Sequence, residues 1–499
     1  MKERYRISSV TLVRWTCVLL LCAGLWACGV DRKDVAELED EALTVLLDLL
    51  RNRPLKGAVA GEVAKVLGEM GRADAVPALI EALEYPEGFV VFKAIAALGE
   101  IGDPRAVEPL ERHFQEGKPY LQVEAALALA RLGRTARVGW IVETLQKGEM
   151  GILRSNAAAA LGRLGASSAI PALRRTFQKD PEPIARSTAA LALARLGDRE
   201  SLPAVGQTLV QTKDVSICMV MIEALETFGD SISASYLEAA FQTQKAYNVR
   251  MRCLQGLGKI GIGTIGPYLQ DVLSRDTNMA NQMLATEGLG IVRDSTAVPL
   301  LRTVFRSNPD QPSRVGAARA LAMLGYGREV SPELEADLAH QNESFRVRAA
   351  EVLALIGDER RVFALKEGLL WSGSVALQRA VAKALGSIES PDAVEALTEA
   401  YPRAEAFDVK MDIVEALGGV PLPEAHKALE RILKRAEYTE IQVLALRGLS
   451  RSKDLDLLRV LERYLKDRKP EVRFQAAVGI FRLIREGSPG LADAGDADR

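Results

Sequence analysis

The sequence has few of the residues that usually carry a protein's chemistry. Among 499 residues there are three histidines and five cysteines, and aromatic residues make up 5%. No C-x-x-C pair, P-loop or G-x-S-x-G motif occurs, and no histidine is followed by glutamate. We therefore expect no catalytic site, no metal and no cofactor. The sequence predicts a protein that is not an enzyme and takes no small-molecule substrate.

An excess of charge of one sign is also missing. The 64 basic and 66 acidic residues leave a formal net charge of −2. A nucleic-acid-binding protein of this size usually carries a clear positive excess. We therefore expect no nucleic-acid partner.

Long hydrophobic runs are absent as well. The longest, residues 15–30, contains a threonine, three cysteines and two glycines, and a bilayer-spanning helix needs about 20 apolar residues. Four positive charges precede it: Lys2, Arg4, Arg6 and Arg14. A positive start followed by a short apolar stretch and small residues is typical of a secretory signal peptide.

The end of this run, Leu25-Trp26-Ala27-Cys28, resembles a bacterial lipobox. Leu25 and Ala27 match the large and small residues of that pattern, whereas Trp26 is bulkier than usual. The resemblance implies cleavage before Cys28 and acylation of its sulfur. We therefore predict a signal peptide over 1–27 and a lipidated cysteine with a short tether over 28–34. Ordinary signal cleavage and an uncleaved anchor are the alternatives.

Cleavage there would leave only Cys218 and Cys253 besides the lipidated residue. This is too few for the disulfide framework of an exported chain, so burial must stabilise the fold. We expect both to be buried free thiols.

One phrase recurs along the whole chain, as in "ALGRLGA" at 160–166 and "ALARLGD" at 192–198. Its first leucine serves as an anchor, and the anchors are 31 residues apart at first and 32 afterwards. They fall at 67, 98, 129, 161, 193, 225, 257, 289, 321, 353, 385, 417, 449 and 481, the last being Phe481 in place of leucine. A fixed period of this length indicates a solenoid. We predict an all-α fold, an α-α superhelical solenoid of about 14 two-helix repeats over 35–485.

Each repeat is predicted to contain two helices, and turn signals mark the boundary between one repeat and the next. A Gly-Asp pair follows several anchors, and these residues suit the end of one helix and the cap of the next. The pairs are Gly102-Asp103, Gly197-Asp198, Gly229-Asp230 and Gly357-Asp358. An early proline then marks many first helices, where its missing N–H group costs nothing.

The repeat resembles the HEAT repeat, specifically the short bacterial kind associated with phycobilisome lyases. An arginine stands seven residues before the anchor, as in Arg154 and Arg314, and an alanine pair stands four and three before it, as in Ala157-Ala158. The resemblance implies the solenoid fold and says little about function, because one fold hosts many functions. HEAT-type hydroxylases use repeated His-Glu dipeptides, which are lacking here.

Two rows on the predicted second helices form a candidate site. An apolar row is edged by a basic row over about four repeats, and together they could dock an anionic segment of a partner. The candidates are Leu127, Leu191, Arg131, Arg163, Arg195 and Lys259. The alternative is that these cations are solvated and favoured by the helix C-terminus.

A third row alternates in charge through the later repeats. Its members are Glu287, Arg319, Glu351, Lys383, Glu415 and Arg447. Successive side chains could pair as an ion ladder between repeats, which is the interpretation we prefer to a charged binding face.

Together these features predict a membrane-tethered scaffold of the bacterial cell envelope that binds unknown envelope proteins. The alternative function is direct binding of an anionic envelope polymer, lipopolysaccharide or cell wall, along the basic row. Gly29 after the lipidated cysteine favours the outer membrane facing the periplasm, and the inner membrane stays open. The first helix, predicted over 35–50, should lie near the membrane. The tail 486–499 is small, polar and acidic, which predicts disorder.

Overall fold

The computed structural model describes residues 32–52, 57–261, 264–307 and 311–487. Every regular element in these ranges is helical, with 28 α-helices joined by short 3₁₀ turns. The predicted all-α solenoid of two-helix repeats is therefore confirmed. The predicted signal peptide and Cys28 lie outside the described residues, as does the predicted tail beyond residue 487.

The helices form 14 pairs, in which odd labels denote the first helix of a repeat and even labels the second. In chain order they are α1 (Arg32–Arg51), α2 (Gly57–Met70), α3 (Val76–Ala82), α4 (Gly88–Ile101), α5 (Val107–Glu116), α6 (Pro119–Arg131), α7 (Ala136–Lys147), α8 (Gly151–Leu164), α9 (Ile170–Lys179), α10 (Pro183–Arg195), α11 (Leu202–Gln211), α12 (Val215–Phe228), α13 (Ser231–Thr243), α14 (Tyr247–Ile260), α15 (Gly266–Arg275), α16 (Met279–Ile291), α17 (Val298–Ser307), α18 (Gln311–Met323), α19 (Ser331–Asp337), α20 (Glu343–Ile356), α21 (Val362–Trp371), α22 (Val375–Gly386), α23 (Pro391–Ala400), α24 (Phe407–Gly419), α25 (Pro423–Arg435), α26 (Thr439–Leu449), α27 (Leu458–Glu462) and α28 (Pro470–Gly487).

The chain divides into two compact units. Unit 1 comprises Met1–Val90 together with Leu385–Arg499, and unit 2 comprises Val91–Ala384. The boundaries fall inside α4 and α22. Unit 2 contains the repeats that carry the predicted docking rows.

Unit 1 joins the two ends of the described chain. Helix α1 packs against α28, and α2 also contacts α28. At the rim of this junction, Arg473 Nη2 lies 4.0 Å from Asp48 Oδ2. The solenoid prediction did not include this packing, and α1 begins three residues before the predicted start at Val35.

Second helices approach one another closely because small residues face each other. A Cβ placed on Gly99 would lie 2.7 Å from the Cβ of Ala128, in the next repeat. The same arrangement recurs where Gly386 faces Ala416 at 2.6 Å. The residue just after one anchor therefore meets the residue just before the next anchor. The small residues on either side of these anchors therefore allow neighbouring second helices to pack closely.

The turns and the arginine row connect each repeat to the next. Gly102, one of the predicted turn glycines, is left-handed with φ of +76°. The Asp103 carboxylate accepts a hydrogen bond from the Arg105 N–H. Seven residues before the anchor, Arg154 donates to Asp180 at 2.6 and 2.7 Å and to the Gly148 carbonyl at 2.7 Å. Arg154 therefore ties the loop between the two helices of its own repeat to the equivalent loop of the next repeat.

Candidate functional site

The basic row lies on the second helices of unit 2, and each of its four cations pairs with a carboxylate of the chain. Two pairs are loose, because the closest N–O distances are 3.8 and 3.5 Å. Lys259 pairs more closely, with its Nζ 3.1 Å from Glu226. The four pairs are Arg131–Glu100, Arg163–Glu124, Arg195–Glu223 and Lys259–Glu226. The row therefore presents much less uncompensated positive charge than its sequence indicates.

The tightest of these pairs joins α6 and α8. Arg163 Nη2 and Nη1 donate to the two oxygens of Glu124 at 2.7 and 2.9 Å. Glu124 is only 4% exposed, so its charge depends on this partner. The hydrogen bonds from the guanidinium to Glu124 raise the pKa of Arg163, against the opposing effect of burial. An acidic partner would have to compete with a preformed bidentate carboxylate.

Glu226 is shared between two cations. Arg252 donates to it at 2.9 Å, and Lys259 approaches it from a position further along α14. Burial alone would raise the pKa of Glu226, but the hydrogen bonds from Arg252 and Lys259 outweigh it and lower that pKa. The last member of the basic row therefore belongs to a compensated cluster.

The apolar row does not form the strip that the sequence predicts. Leu127 is only 1% exposed and lies in the core between helices. Leu191 is partly exposed. The prediction that Leu127 lies on a docking surface is therefore wrong, because this position of α6 faces neighbouring helices rather than solvent.

The alternating row forms one clear step of the predicted ladder. Arg319 lies 3.9 Å from Glu287 across neighbouring second helices. Glu351 and Arg447 are exposed in their own repeats. The pairing distance is long, which agrees with a weak register-setting role.

The structure reveals a different apolar row, at the first turn of each second helix. Its members occur in six consecutive repeats of unit 2 and are between 37% and 52% exposed. They are Tyr120, Ile152, Ile184, Val215, Tyr247 and Met279. Sequence reasoning missed them, although the signal was present: positions nine or ten before the anchor are apolar where a solvated helix start would be polar. The recurrence of exposed large apolar side chains in successive repeats makes this row a candidate interaction surface.

Two of these residues lie in a cavity that we call the apolar groove. It has a volume of about 480 Å³, and its apolar walls come from α4, α6 and α8 together with Met150, which immediately precedes α8. The walls include Phe92, Tyr120, Val123, Met150, Ile152 and Leu153. The Glu124–Arg163 pair also borders the groove. This volume lies within the range of protein pockets that hold several apolar side chains or a small ligand.

A second cavity, which we call the charged cleft, lies further along the second helices of unit 2. Its volume is about 260 Å³ and its charged lining comes from Glu287, Arg319, Arg348 and Glu351, beside Tyr247. Within the described ranges, Arg348 and Glu351 form no ion pair shorter than 4 Å. Burial raises the pKa of the Tyr247 hydroxyl, and the neighbouring Glu287 carboxylate adds to this effect.

The remaining reactive side chains lie apart from both cavities. Cys218 and Cys253 are buried free thiols, as predicted, and burial raises the pKa of Cys253 to about 12. Among the described residues, no group of three or more His, Cys, Asp or Glu side chains has a metal-binding arrangement. No helix in the same ranges has the length and apolar character needed to cross a bilayer.

The sequence matches the model of HEAT repeats over residues 43–120, 114–194, 176–258, 243–322, 331–418 and 364–443. The chain therefore belongs to the HEAT-repeat family, and the resemblance drawn from the repeat motif is confirmed. No curated protein matches the sequence.

Several solved structures resemble the chain at low identity. Human deoxyhypusine hydroxylase in complex with glycerol is 21% identical, with a TM-score of 0.27, over 59% of this chain and 99% of that one. The complex of CpcE and CpcF of phycocyanin lyase from Nostoc sp. PCC7120 is 20% identical, with a TM-score of 0.24, over 56% and 92%. Importin beta is 15% identical, with a TM-score of 0.35, over 98% and 73%. Because these identities and TM-scores are low, the family assignment rests on the sequence match to HEAT repeats alone.

Proposed function

We propose that this protein is a non-catalytic scaffold of the bacterial cell envelope that binds a partner protein through the second helices of unit 2. The observation that carries the proposal is the row of half-exposed apolar residues in six consecutive repeats. Leaving such side chains in water forgoes favourable burial, and a contiguous set of them is typical of a protein-binding surface. The HEAT-repeat solenoid provides the rigid support that such a surface needs.

The proposed tether is the acylated Cys28. Its support is the sequence alone: a positive start, a short apolar run and the residues Leu25 and Ala27 before the cysteine. Each buried methylene of an acyl chain contributes about 0.8 kcal/mol to membrane binding, so a multiply acylated cysteine would anchor firmly. Gly29 supports an outer-membrane address facing the periplasm.

The anchor would bring both ends of the described chain to the membrane. Helix α1 starts at Arg32, four residues after Cys28, and packs against α28. Because four residues span at most about 14 Å, α1 and the α28 that contacts it would lie close to the lipid.

Direct binding of an anionic envelope polymer is the weaker candidate. Such binding would need a stripe of free cations. In unit 2 the predicted stripe instead meets Glu100, Glu124, Glu223 and Glu226. The pairing favours a protein partner over a polyanion.

The test of the scaffold is affinity capture of the full chain from cross-linked, detergent-solubilised cells, followed by mass spectrometry. We expect a stoichiometric partner that is lost in Ile152→Glu and kept in Ile232→Glu, a matched control because Ile232 is 53% exposed on the first helix α13. A capture that finds no stoichiometric protein, combined with salt-sensitive retention on lipopolysaccharide or cell wall, would overturn the scaffold in favour of the polymer.

The anchor is tested separately. Metabolic labelling with an alkynyl palmitate should mark the wild type and leave Cys28→Ala unmarked, and the variant should move from the membrane to the soluble fraction. Equal labelling of both chains would exclude Cys28 as the acylated residue.

A further inference from the structure

The apolar groove and the charged cleft lie on the same face of one compact unit. Both are built from second helices of unit 2, the groove chiefly from α4, α6 and α8, and the cleft from α14, α16, α18 and α20. Three repeat steps separate α8 from α14. Packed helices are about 8–10 Å apart, so the two cavities are separated by roughly 25–30 Å.

The chemistry of the apolar groove selects an uncharged, apolar group. Its wall residues Tyr120, Met150 and Ile152 are half-exposed and offer no charge. The charges at its border, Glu124 and Arg163, already satisfy each other. An acid entering the groove would lose hydration without gaining a free cation, which is costly. An aliphatic or aromatic side chain gains burial there.

The chemistry of the charged cleft selects the opposite kind of residue. Arg348 and Glu351 are exposed and have no ion-pair partner within 4 Å in the described ranges. Arg319 and Glu287 are only loosely paired, at 3.9 Å. A guanidinium without a carboxylate favours an acid, and the free Glu351 favours a base. The cleft therefore complements a mixed-charge stretch.

We infer that the partner is a linear, extended protein segment with two parts: apolar anchor residues that enter the groove, and an acidic and a basic residue that pair with Arg348 and Glu351. Arg348 and Glu351 lie on α20, six repeat steps from α8, which corresponds to about 48–60 Å at 8–10 Å per step. An extended chain rises about 3.3 Å per residue, so roughly 15–18 residues join the two parts. This inference rests on the proposed scaffold function and specifies the partner's chemistry. Between the two cavities, Ile184 and Val215 continue the apolar row along the path of the segment.

The experiment uses the full chain, immobilised, and a phage-displayed library of random peptides, each about 30 residues long so that it spans both cavities, as the probe. We expect enrichment of peptides with aliphatic or aromatic residues separated from an acid–base pair by about the spacing above. Ile152→Glu and Arg348→Glu should each lower the affinity of the protein for the enriched peptides by about tenfold or more. Ile232→Glu and Lys213→Glu are the controls, because both residues are exposed outside the two cavities, and they should leave affinity unchanged within about twofold. Far-UV circular dichroism and melting curves confirm that all four variants are folded.

Repeating the selection with Arg348→Glu as the immobilised protein distinguishes a binding role of Arg348 from a structural one. The newly enriched peptides should lose the acidic residue, gain a basic one, and keep the apolar anchors. Enriched peptides whose affinity falls in only one of the variants Ile152→Glu and Arg348→Glu would overturn the two-part segment.

A library that yields no binder, while the cellular capture still finds a partner lost in Ile152→Glu, would also overturn it and leave the scaffold standing. Peptide binding without any cellular partner would instead contradict the scaffold.

Discussion

Arg163 and Glu124 are 39 residues apart in the sequence and form a bidentate ion pair between the second helices α8 and α6, with N–O distances of 2.7 and 2.9 Å. Arg195, one repeat later in the same row, makes only a single 3.5 Å contact with Glu223, and both of those side chains are about half exposed. Equivalent positions in the repeat therefore have different energetic roles, which depend on how deeply the acid is buried.

Arg163→Ala should destabilise the protein more than Arg195→Ala. The first variant leaves the buried Glu124 carboxylate without a partner, and we expect a loss of about 2 kcal/mol, reduced from the value for a fully buried pair because Arg163 is one-third exposed. The second should cost less than about 1 kcal/mol. Urea unfolding measures both. The double variant Arg163→Ala/Glu124→Gln should recover part of the lost unfolding free energy, because it removes the unpaired buried charge. Equal losses in Arg163→Ala and Arg195→Ala would contradict the different roles of the two arginines.

Two glycines should respond in opposite ways to alanine. In Gly99→Ala the new Cβ would lie 2.7 Å from the Cβ and 2.8 Å from the Cα of Ala128, so the helices must separate, at a cost of about 1–3 kcal/mol. Gly139 lies inside α7, where an added Cβ would meet no neighbouring atom within 4 Å. Gly139→Ala should therefore stabilise the protein by about 0.5–1 kcal/mol. Thermal unfolding of the two variants beside the wild type checks the signs, and a stabilised Gly99→Ala would exclude the close approach.

The junction of the chain ends predicts a long-range effect on hydrogen exchange. Leu46 is fully buried in α1, so Leu46→Ala should cost about 2–5 kcal/mol. Because α1 packs on α28, faster amide exchange should appear in both 32–51 and 470–487. The control is Leu257→Ala, which removes an equally buried leucine from α14. Protection of 470–487 that is unchanged by Leu46→Ala would contradict the junction.

Burial of His426 predicts a loss of stability in mild acid. Its side chain is 8% exposed, and burial lowers its pKa, although Asp454, Glu430 and Glu424 act in the opposite direction. Above about pH 6.5 the imidazole is neutral in both states and contributes no pH dependence. Below that pH the unfolded chain takes up a proton that the folded chain resists, so stability falls by at most about 1.4 kcal/mol per pH unit, until the folded-state pKa is passed.

Urea midpoints at about pH 7.5 and about pH 5.5, on either side of the ordinary histidine pKa, test this dependence. The difference between the two midpoints should be smaller in His426→Gln, which cannot titrate, than in the wild type. The same difference in both proteins would show that other groups cause it.

The fold could be read from the sequence because it is local and repeated. The anchor leucines, the turn glycines such as Gly102, and the early prolines each act within one repeat, so their spacing predicts two helices and their stacking. Arg154 is only partly local in its role: Gly148 lies in the loop just before its own helix, whereas Asp180 lies in the equivalent loop of the next repeat. The family assignment followed from the same short-range pattern.

The candidate site could be read only in part. The sequence shows that Arg131, Arg163, Arg195 and Lys259 recur at one position, but their acidic partners come from neighbouring repeats and have no fixed spacing. It also cannot show which face of α6 Leu127 occupies, because both faces of a second helix carry apolar residues. Burial there depends on neighbouring helices on either side.

The helical repeat, its period and its turns follow from the sequence, because they depend on residues a few positions apart. Three further features depend on the packing of the folded chain: the neutralisation of the basic row, the exposure of Ile152 and its equivalents, and the contact of α1 with α28. Each of these depends on side chains that approach through stacking of whole repeats, and in the last case on chain ends more than four hundred residues apart. Contacts between stacked repeats follow from geometry accumulated along the solenoid, which no local pattern encodes.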